Sequence, residues 1–510
     1  MVREWAKLIM IESSEQKSVR ESDCALLVRR HSVTRLDSSL IALIGFFSLF
    51  AAIVPVYRAF HKVDINYNEG WNVYVASALA DHLPLYPLRY SWTTVNYPVG
   101  SFYVAAQLSK LTGDYLFTGR ILSLFALVLC CILVGAITKK ITGASVPAFI
   151  SGCFCWILFC ANANEYVGMD DPQMLAMVVF LAGMLLYVSR RADAVCLTGV
   201  ALLFALGGSF KHNLIDFPIA VFLDLCIVSS RRALQFLIYG VLFLSVAIAL
   251  NTYVGGPFFI ASILTSHLYS FPKAVGDFVR IYGVIQLPLF AIVIAMVQVS
   301  KNASSRVISI WFVASLILGV TFAGGAGVNV NIFFSNFLSM SVLVGILTNM
   351  ARATSLEGLR GEAWVRIGLP LALFGSLLFP LQASVSLRPT HKLHEIRIQQ
   401  ERFEQEVSFL RSQPGPAICE DLLRCYFAGK PYIYDPFNST SLIESGKLDG
   451  GDIIGKIERH EYGAIQLYRP IALEERPNNH FTDPIFDAMS KYYFPVLEES
   501  NCTIYIPKQL

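Results

Sequence analysis

Two carboxylates, Asp64 and Glu69, stand five residues apart in the run Asp64-Ile65-Asn66-Tyr67-Asn68-Glu69-Gly70-Trp71. A carboxylate can take the proton of an attacking hydroxyl when a fold holds it against one. After Glu69, Trp71, Tyr74, Val75, Ala78 and Leu79 recur at helical spacing, which predicts a short helix with one aromatic, apolar face. Glu69 sits at the start of that helix, where unpaired N–H groups and the helix dipole favour negative charge. Carboxylates in such a loop also serve simply as caps and solvated polar groups. The aromatic stripe beside them is what favours a site, because it would lie along a membrane surface.

Three other polar groups stand against apolar surroundings. Asp170 and Asp171 precede Pro172; proline suits the first turn of a helix, so Asp171 is placed to cap one. Two adjacent carboxylates also offer oxygen ligands to a divalent cation. Lys211-His212-Asn213 separates two apolar stretches, and a cation so placed either flanks a span or belongs to a site. The segment Gly324-Gly325-Ala326-Gly327-Val328-Asn329-Val330-Asn331 has no charge. It is either a plain turn or a place where the backbone can approach a ligand closely. His267, Tyr269 and Lys273 are weaker candidates before a later span.

The composition states what must position these groups. The 510 residues are 55% hydrophobic and 15% charged, with a mean hydropathy of +0.55. A soluble protein has about 25% charged residues, so this chain is a membrane protein. Of its 40 basic and 37 acidic side chains, 32 lie in the 123 residues from Arg388 onward. Lipid therefore solvates the first part and water the last. A formal net charge of +3, with no basic stripe interleaved with aromatics, gives no support to nucleic-acid binding.

A helix needs about 20 apolar residues to cross the hydrocarbon layer. About eleven segments between 39 and 383 qualify, the fifth and sixth (195–207 and 214–228) being short. Basic residues mark cytoplasmic ends: Arg20, Arg29, Arg30 and Arg35 in the first tail, then Lys139-Lys140, Arg190-Arg191, Arg231-Arg232, Lys301 and Arg352 in every second loop. The N-terminus is thus expected in the cytoplasm, and an odd span count puts the C-terminal part outside. The expected organisation is a basic cytoplasmic tail, 1–38, a transmembrane domain, 39–387, with a first outer loop at 57–116, and an extracytoplasmic α/β domain, 388–510. The tail has no early apolar core and does not resemble a cleaved signal peptide.

In the last domain a helical run at 394–410 precedes β-prone stretches at 417–419, 432–434, 465–468 and 503–506, with helix-like segments at 452–460 and 484–492. Alternation of this kind suggests a small α/β fold. It contains no phosphate loop or nucleophile motif, so a lid or partner surface is the plainest role for it. Of 11 cysteines, Cys419, Cys425 and Cys502 lie outside the apolar part; Cys419 and Cys425 could pair in an oxidising compartment, although the odd count argues against it. No CxxC or His/Cys cluster points to structural zinc.

At this point the order of motifs resembles a family. In the type C membrane glycosyltransferases that use polyprenyl-phosphate sugars, an acidic pair after the first span leads into an amphipathic helix, a turn, a Tyr-Pro step and an Arg opening the second span. These include protein O-mannosyltransferases, the lipid A aminoarabinose transferase and rhizobial galacturonosyltransferases. The matching residues here are Asn68-Glu69-Gly70-Trp71, Ala76 to Ala80, Leu83-Pro84-Leu85-Tyr86, Asn96-Tyr97-Pro98 and Gly119-Arg120. One departure is chemical: Asn68 stands where the family usually has its catalytic Asp.

The resemblance implies a polytopic α-helical protein of the plasma membrane that moves a sugar from a polyprenyl-phosphate donor to a hydroxyl of a lipid, glycan or protein. It implies Glu69, helped by Asp64, as the base. Arg120, Lys211 and His212 would hold the departing phosphate, and Asp170, with Asp171, Asn213, Tyr97, Asn329 and Asn331, would line the substrate site. Displacement in a single step would invert the anomeric centre. No cofactor is required by this scheme beyond a divalent cation at the carboxylates, if one binds. The rival reading is a transporter or flippase of a lipid-linked substrate, but the chain shows no repeated halves of the kind transporters carry.

Overall fold

The computed structural model describes residues 35–190, 193–265, 268–353, 361–378, 389–471, 480–499 and 501–508. Most of the expected tail, 1–38, lies outside them, as do His267 and the boundary around Arg388.

A backbone in lipid must satisfy its own hydrogen bonds, which leaves the apolar runs only the helix. Each of the eleven expected apolar segments falls mainly on helix within its described part, although 282–299 is broken at 283–285. By length and composition, however, seven of the described helices can cross a membrane, or eight if a bent pair counts as one span. The pair is Phe271–Tyr282 and Gln286–Met296, turned by 92°. Helices Ala194–Gly208 and Asp216–Val228 have only 15 and 13 residues. The expected count of eleven is therefore not reached among the described residues, because polar breaks such as Lys211-His212-Asn213 cut these runs short.

Exposure separates lipid-facing from central helices. Helix Ser230–Gly255 is 11% buried and turns Leu237, Ile238, Val241 and Leu242 outward, as a lipid-facing helix must. Helix Phe334–Ala353 is the bundle's centre, buried along nearly its whole length. It can sit there because Gly345 leaves room for Ser151 and Thr138 of neighbouring helices; a Cβ at that position would lie 2.6 Å from Thr138 Cγ2. Two buried carboxylates of the bundle are paired: Asp37 with Arg352, and Asp224 with Arg306 and Tyr187.

The C-terminal part is a small α/β unit. Helix Pro389–Ser412 leads to a four-stranded sheet of order β1-β2-β4-β3, made of Ala417–Cys419, Ala464–Leu467, Tyr493–Glu499 and Cys502–Pro507 numbered in chain order. β1 and β2 are parallel, and β4 runs antiparallel to both β2 and β3. Tyr432-Ile433-Tyr434, expected as a strand, joins no sheet among the described residues; prolines at 431 and 436 bracket it, and proline cannot donate to a ladder. The strand taken up instead, β3, begins at Tyr493 and closes a hairpin with β4. Cys419 and Cys425 form a disulfide.

This unit does not stand apart from the bundle. Helix Asn68–Ala80, expected along the membrane surface, is buried on nearly every side. Trp71, Tyr74 and Leu79 share one apolar core with Phe403, Leu422, Cys425 and Ile504 of the C-terminal unit. The apolar stripe is as expected, but the C-terminal unit covers it in place of lipid. Gly70 makes the approach feasible, since any Cβ there would overlap the backbone of Leu423. Tyr74 Oη donates to the Lys430 carbonyl at 2.7 Å, and Asp435 N–H to the Trp92 carbonyl at 2.7 Å.

Candidate functional site

A cavity of about 770 Å³ opens where the first outer loop, the 211–215 break, the 321–332 segment and the C-terminal unit meet. Of the residues expected at a site, Tyr97, Lys211, His212, Asn213, Asn329 and Asn331 line it. Five others, Asp64, Glu69, Arg120, Asp170 and Asp171, are not among its lining residues.

Glu69 is wholly buried and bound on both oxygens. Arg120 Nε donates to Oε1 at 2.7 Å and Nη2 to Oε2 at 2.5 Å, while the N–H groups of Asp170 and Ile65 donate at 3.1 and 2.9 Å. Arg120 also donates to the carbonyls of His61 and Val63, at 2.5 Å each. A carboxylate held by a guanidinium and two amides has no lone pair directed to an incoming hydroxyl, and Arg120 has four of its five N–H groups committed to Glu69, His61 and Val63. Their pairing, across 51 residues of sequence, fixes the loop that carries Asn68.

Asp64 points to Arg424 of the C-terminal unit at 3.6 Å, and Arg424 also binds Glu406 and Asp421. Burial, with Asp64 nearby, pushes the Asp421 carboxyl up to about 7 even beside Arg424. Asp171 caps the Pro172–Ser189 helix through Gln173 N–H at 2.7 Å. Asp170 is packed against Gly119, where a Cβ would overlap its carboxyl; burial, Glu69 and Asp171 hold it well above the usual carboxylate range. Asp170 and Asp171 thus have other duties, and no cluster of three His, Cys, Asp or Glu side chains fit for a metal ion occurs among the described residues.

Lys211 is the cation in the wall. It is 2% exposed, its Nζ lies 3.3 Å from the centre of the Tyr97 ring, and it finds no hydrogen-bond acceptor among the described residues. An ammonium removed from water without a counter-ion is costly, and the aromatic face offsets only part of that. Asn329 and Asn331 line the cavity with amides braced by Glu165 at 3.0 Å and Gln173 at 3.1 Å. Lys273, one of the weaker candidates, is taken up by Asp277 and the carbonyls of Ala323 and Val328, whereas Tyr269 reaches the wall.

Sequence reasoning missed His480. It lines the cavity, stacks on Tyr67 with ring centres 4.8 Å apart, and its Nδ1 is 2.7 Å from Glu420 Oε1. Glu420 is 3% exposed and held on its other oxygen by Tyr468 N–H at 2.7 Å. A carboxylate held against one ring nitrogen orients an imidazole and stabilises its protonated form, as in general-base pairs. Tyr67 is no rival base: burial and Asp435, to which its hydroxyl donates at 2.8 Å, raise its phenol well above the usual value. The only sequence signal was a histidine within a polar stretch of an otherwise ordinary α/β domain.

No family model and no curated protein matches this sequence. Solved structures do. ArnT from Cupriavidus metallidurans bound to undecaprenyl phosphate matches with a TM-score of 0.57 and 10% identity, over 90% of this chain and 98% of that one. The same protein in the apo state matches with a TM-score of 0.55 and 11% identity, over 91% and 98%. At such identity the likeness establishes the fold alone: this chain is folded like ArnT over about nine-tenths of its length.

Proposed function

We propose that the protein is an integral-membrane glycosyltransferase that takes a sugar from a polyprenyl-phosphate donor and passes it to an acceptor hydroxyl on a lipid, glycan or protein. The observation that carries this reading is Lys211, a buried ammonium without an acceptor at the wall of a large cavity. Such a group calls for an anion, and a lipid phosphate supplies one. The fold shared with a protein crystallised on undecaprenyl phosphate supports the same choice.

In the proposed reaction the acceptor oxygen attacks the anomeric carbon as the bond from that carbon to the phosphate oxygen breaks. The bonding pair leaves with the phosphate, where Lys211 stabilises the developing charge and His212 stands beside it. His480 takes the acceptor proton, with Glu420 orienting the ring through Nδ1. A single displacement inverts the anomeric centre. Glu69, the base expected from sequence, acts instead as a positioning residue through Arg120. The site faces the extracytoplasmic side, where Cys419 and Cys425 can remain oxidised.

Membranes containing the protein, incubated with undecaprenyl phosphate carrying a radiolabelled sugar, should pass label to a membrane-extractable acceptor. If the donor crosses the bilayer with its sugar still attached, the protein is a flippase and the proposed reaction is wrong.

A further inference from the structure

The cavity wall is unusual in what it omits. No Asp, Glu or Arg lines it among the described residues, and its charged or chargeable members are Lys211, His212 and His480. The carboxylates nearest to it are already engaged. Glu165 accepts from the amides of Asn66 and Asn329 at 3.1 and 3.0 Å, using both oxygens. Asp435 accepts from Tyr67, Tyr432 and Asn438, and Glu420 holds His480.

In place of charge the wall carries amides. Asn68, Asn96 and Asn213 all line the cavity. No side-chain hydrogen bond joins the amide of Asn68 or Asn96 to another described residue, and the Oδ1 of Asn213 is buried without a donor. An amide both donates and accepts, and a buried acceptor left unpaired carries a cost that a ligand can remove. Trp71, Tyr97, Tyr166 and Phe437 supply aromatic surface between these amides.

Resting on the donor reading above, we infer that the transferred sugar is uncharged, a neutral polyhydroxyl ring and neither an amino sugar nor a uronic acid. An ammonium on the ring would meet no open carboxylate among the described residues. A carboxylate on the ring would need a cation, among the described residues, besides Lys211 and His212, which the phosphate takes, and His480 is already tied to Glu420. Hydroxyls match the open amides, and the apolar faces of the ring match the aromatic walls.

The test is displacement of tritiated undecaprenyl phosphate from the detergent-solubilised full-length protein. Competitors are undecaprenyl phosphates bearing glucose, mannose or galactose, then aminoarabinose, then galacturonic acid. At least one neutral conjugate should displace the label at about ten-fold lower concentration than either charged one, and Asn213→Asp should shift the preference toward aminoarabinose. A charged conjugate that competes as well as the best neutral one on the wild-type protein overturns the inference, whether or not the variant folds. Failure of wild type to bind undecaprenyl phosphate at all instead overturns the donor reading, and this inference with it.

Discussion

Arg120→Met should lower the stability of the detergent-solubilised protein by about 3–5 kcal/mol, because it strands Glu69 as an uncompensated charge at 0% exposure. The loss should appear as an earlier thermal transition, read by size-exclusion after heating. Glu69→Gln should be destabilising as well, since it leaves the guanidinium without its counter-charge. Combining the two should restore part of the loss, as pairs in direct contact are non-additive. The same experiment separates two roles for Glu69. A base tolerates Glu69→Gln with an intact fold and a dead reaction, while the ion pair seen here predicts damage to the fold first. A Glu69→Gln protein that melts like wild type and transfers nothing would return the proton to Glu69.

The second large effect belongs to His480. His480→Ala should reduce transfer by about 10²–10⁴-fold, the usual contribution of a positioned general base. Affinity for undecaprenyl phosphate should be unchanged, because Lys211 and not His480 meets the phosphate. Added imidazole should recover part of the rate in the alanine variant, which loss of a merely structural contact would not permit. Glu420→Gln, which keeps shape and hydrogen bonding but removes charge, should lower the turnover rate by less and leave KM for the donor near its original value. Full activity in His480→Ala would remove the dyad from the reaction.

The parts of this site that were legible in the sequence are those whose meaning is local. Lys211-His212-Asn213 stood out because polar residues between apolar runs need a reason, and the cavity supplies it. Asp171 before Pro172 read as a cap and is one. The stripe of Trp71, Tyr74, Val75 and Leu79 correctly predicted a helix. Hydropathy could not say what covered that stripe, since lipid and a folded domain both accept an apolar face.

What was not legible is long-range pairing. Glu69 and Arg120 were each recognised as ionisable groups in outer segments, yet nothing in their spacing says that they neutralise one another. Once paired, both leave the reacting surface. Glu420 and His480 are 60 residues apart in a unit whose charge content looks ordinary. Glu420 follows β1, which lies beside β2, and it meets Gln466, Tyr468 and His480 there. The unit expected as a lid or partner surface contributes Phe437, Asn438 and His480 to the cavity wall.

The central claim is that Lys211 awaits a lipid phosphate, and direct binding of tritiated undecaprenyl phosphate to purified wild-type and Lys211→Met proteins tests it most directly. Loss of one member of a buried, charge-assisted contact should weaken binding by about 30-fold or more, with the melting temperature held or raised because an unpaired buried charge has been removed. Equal affinity in the two proteins would contradict the account.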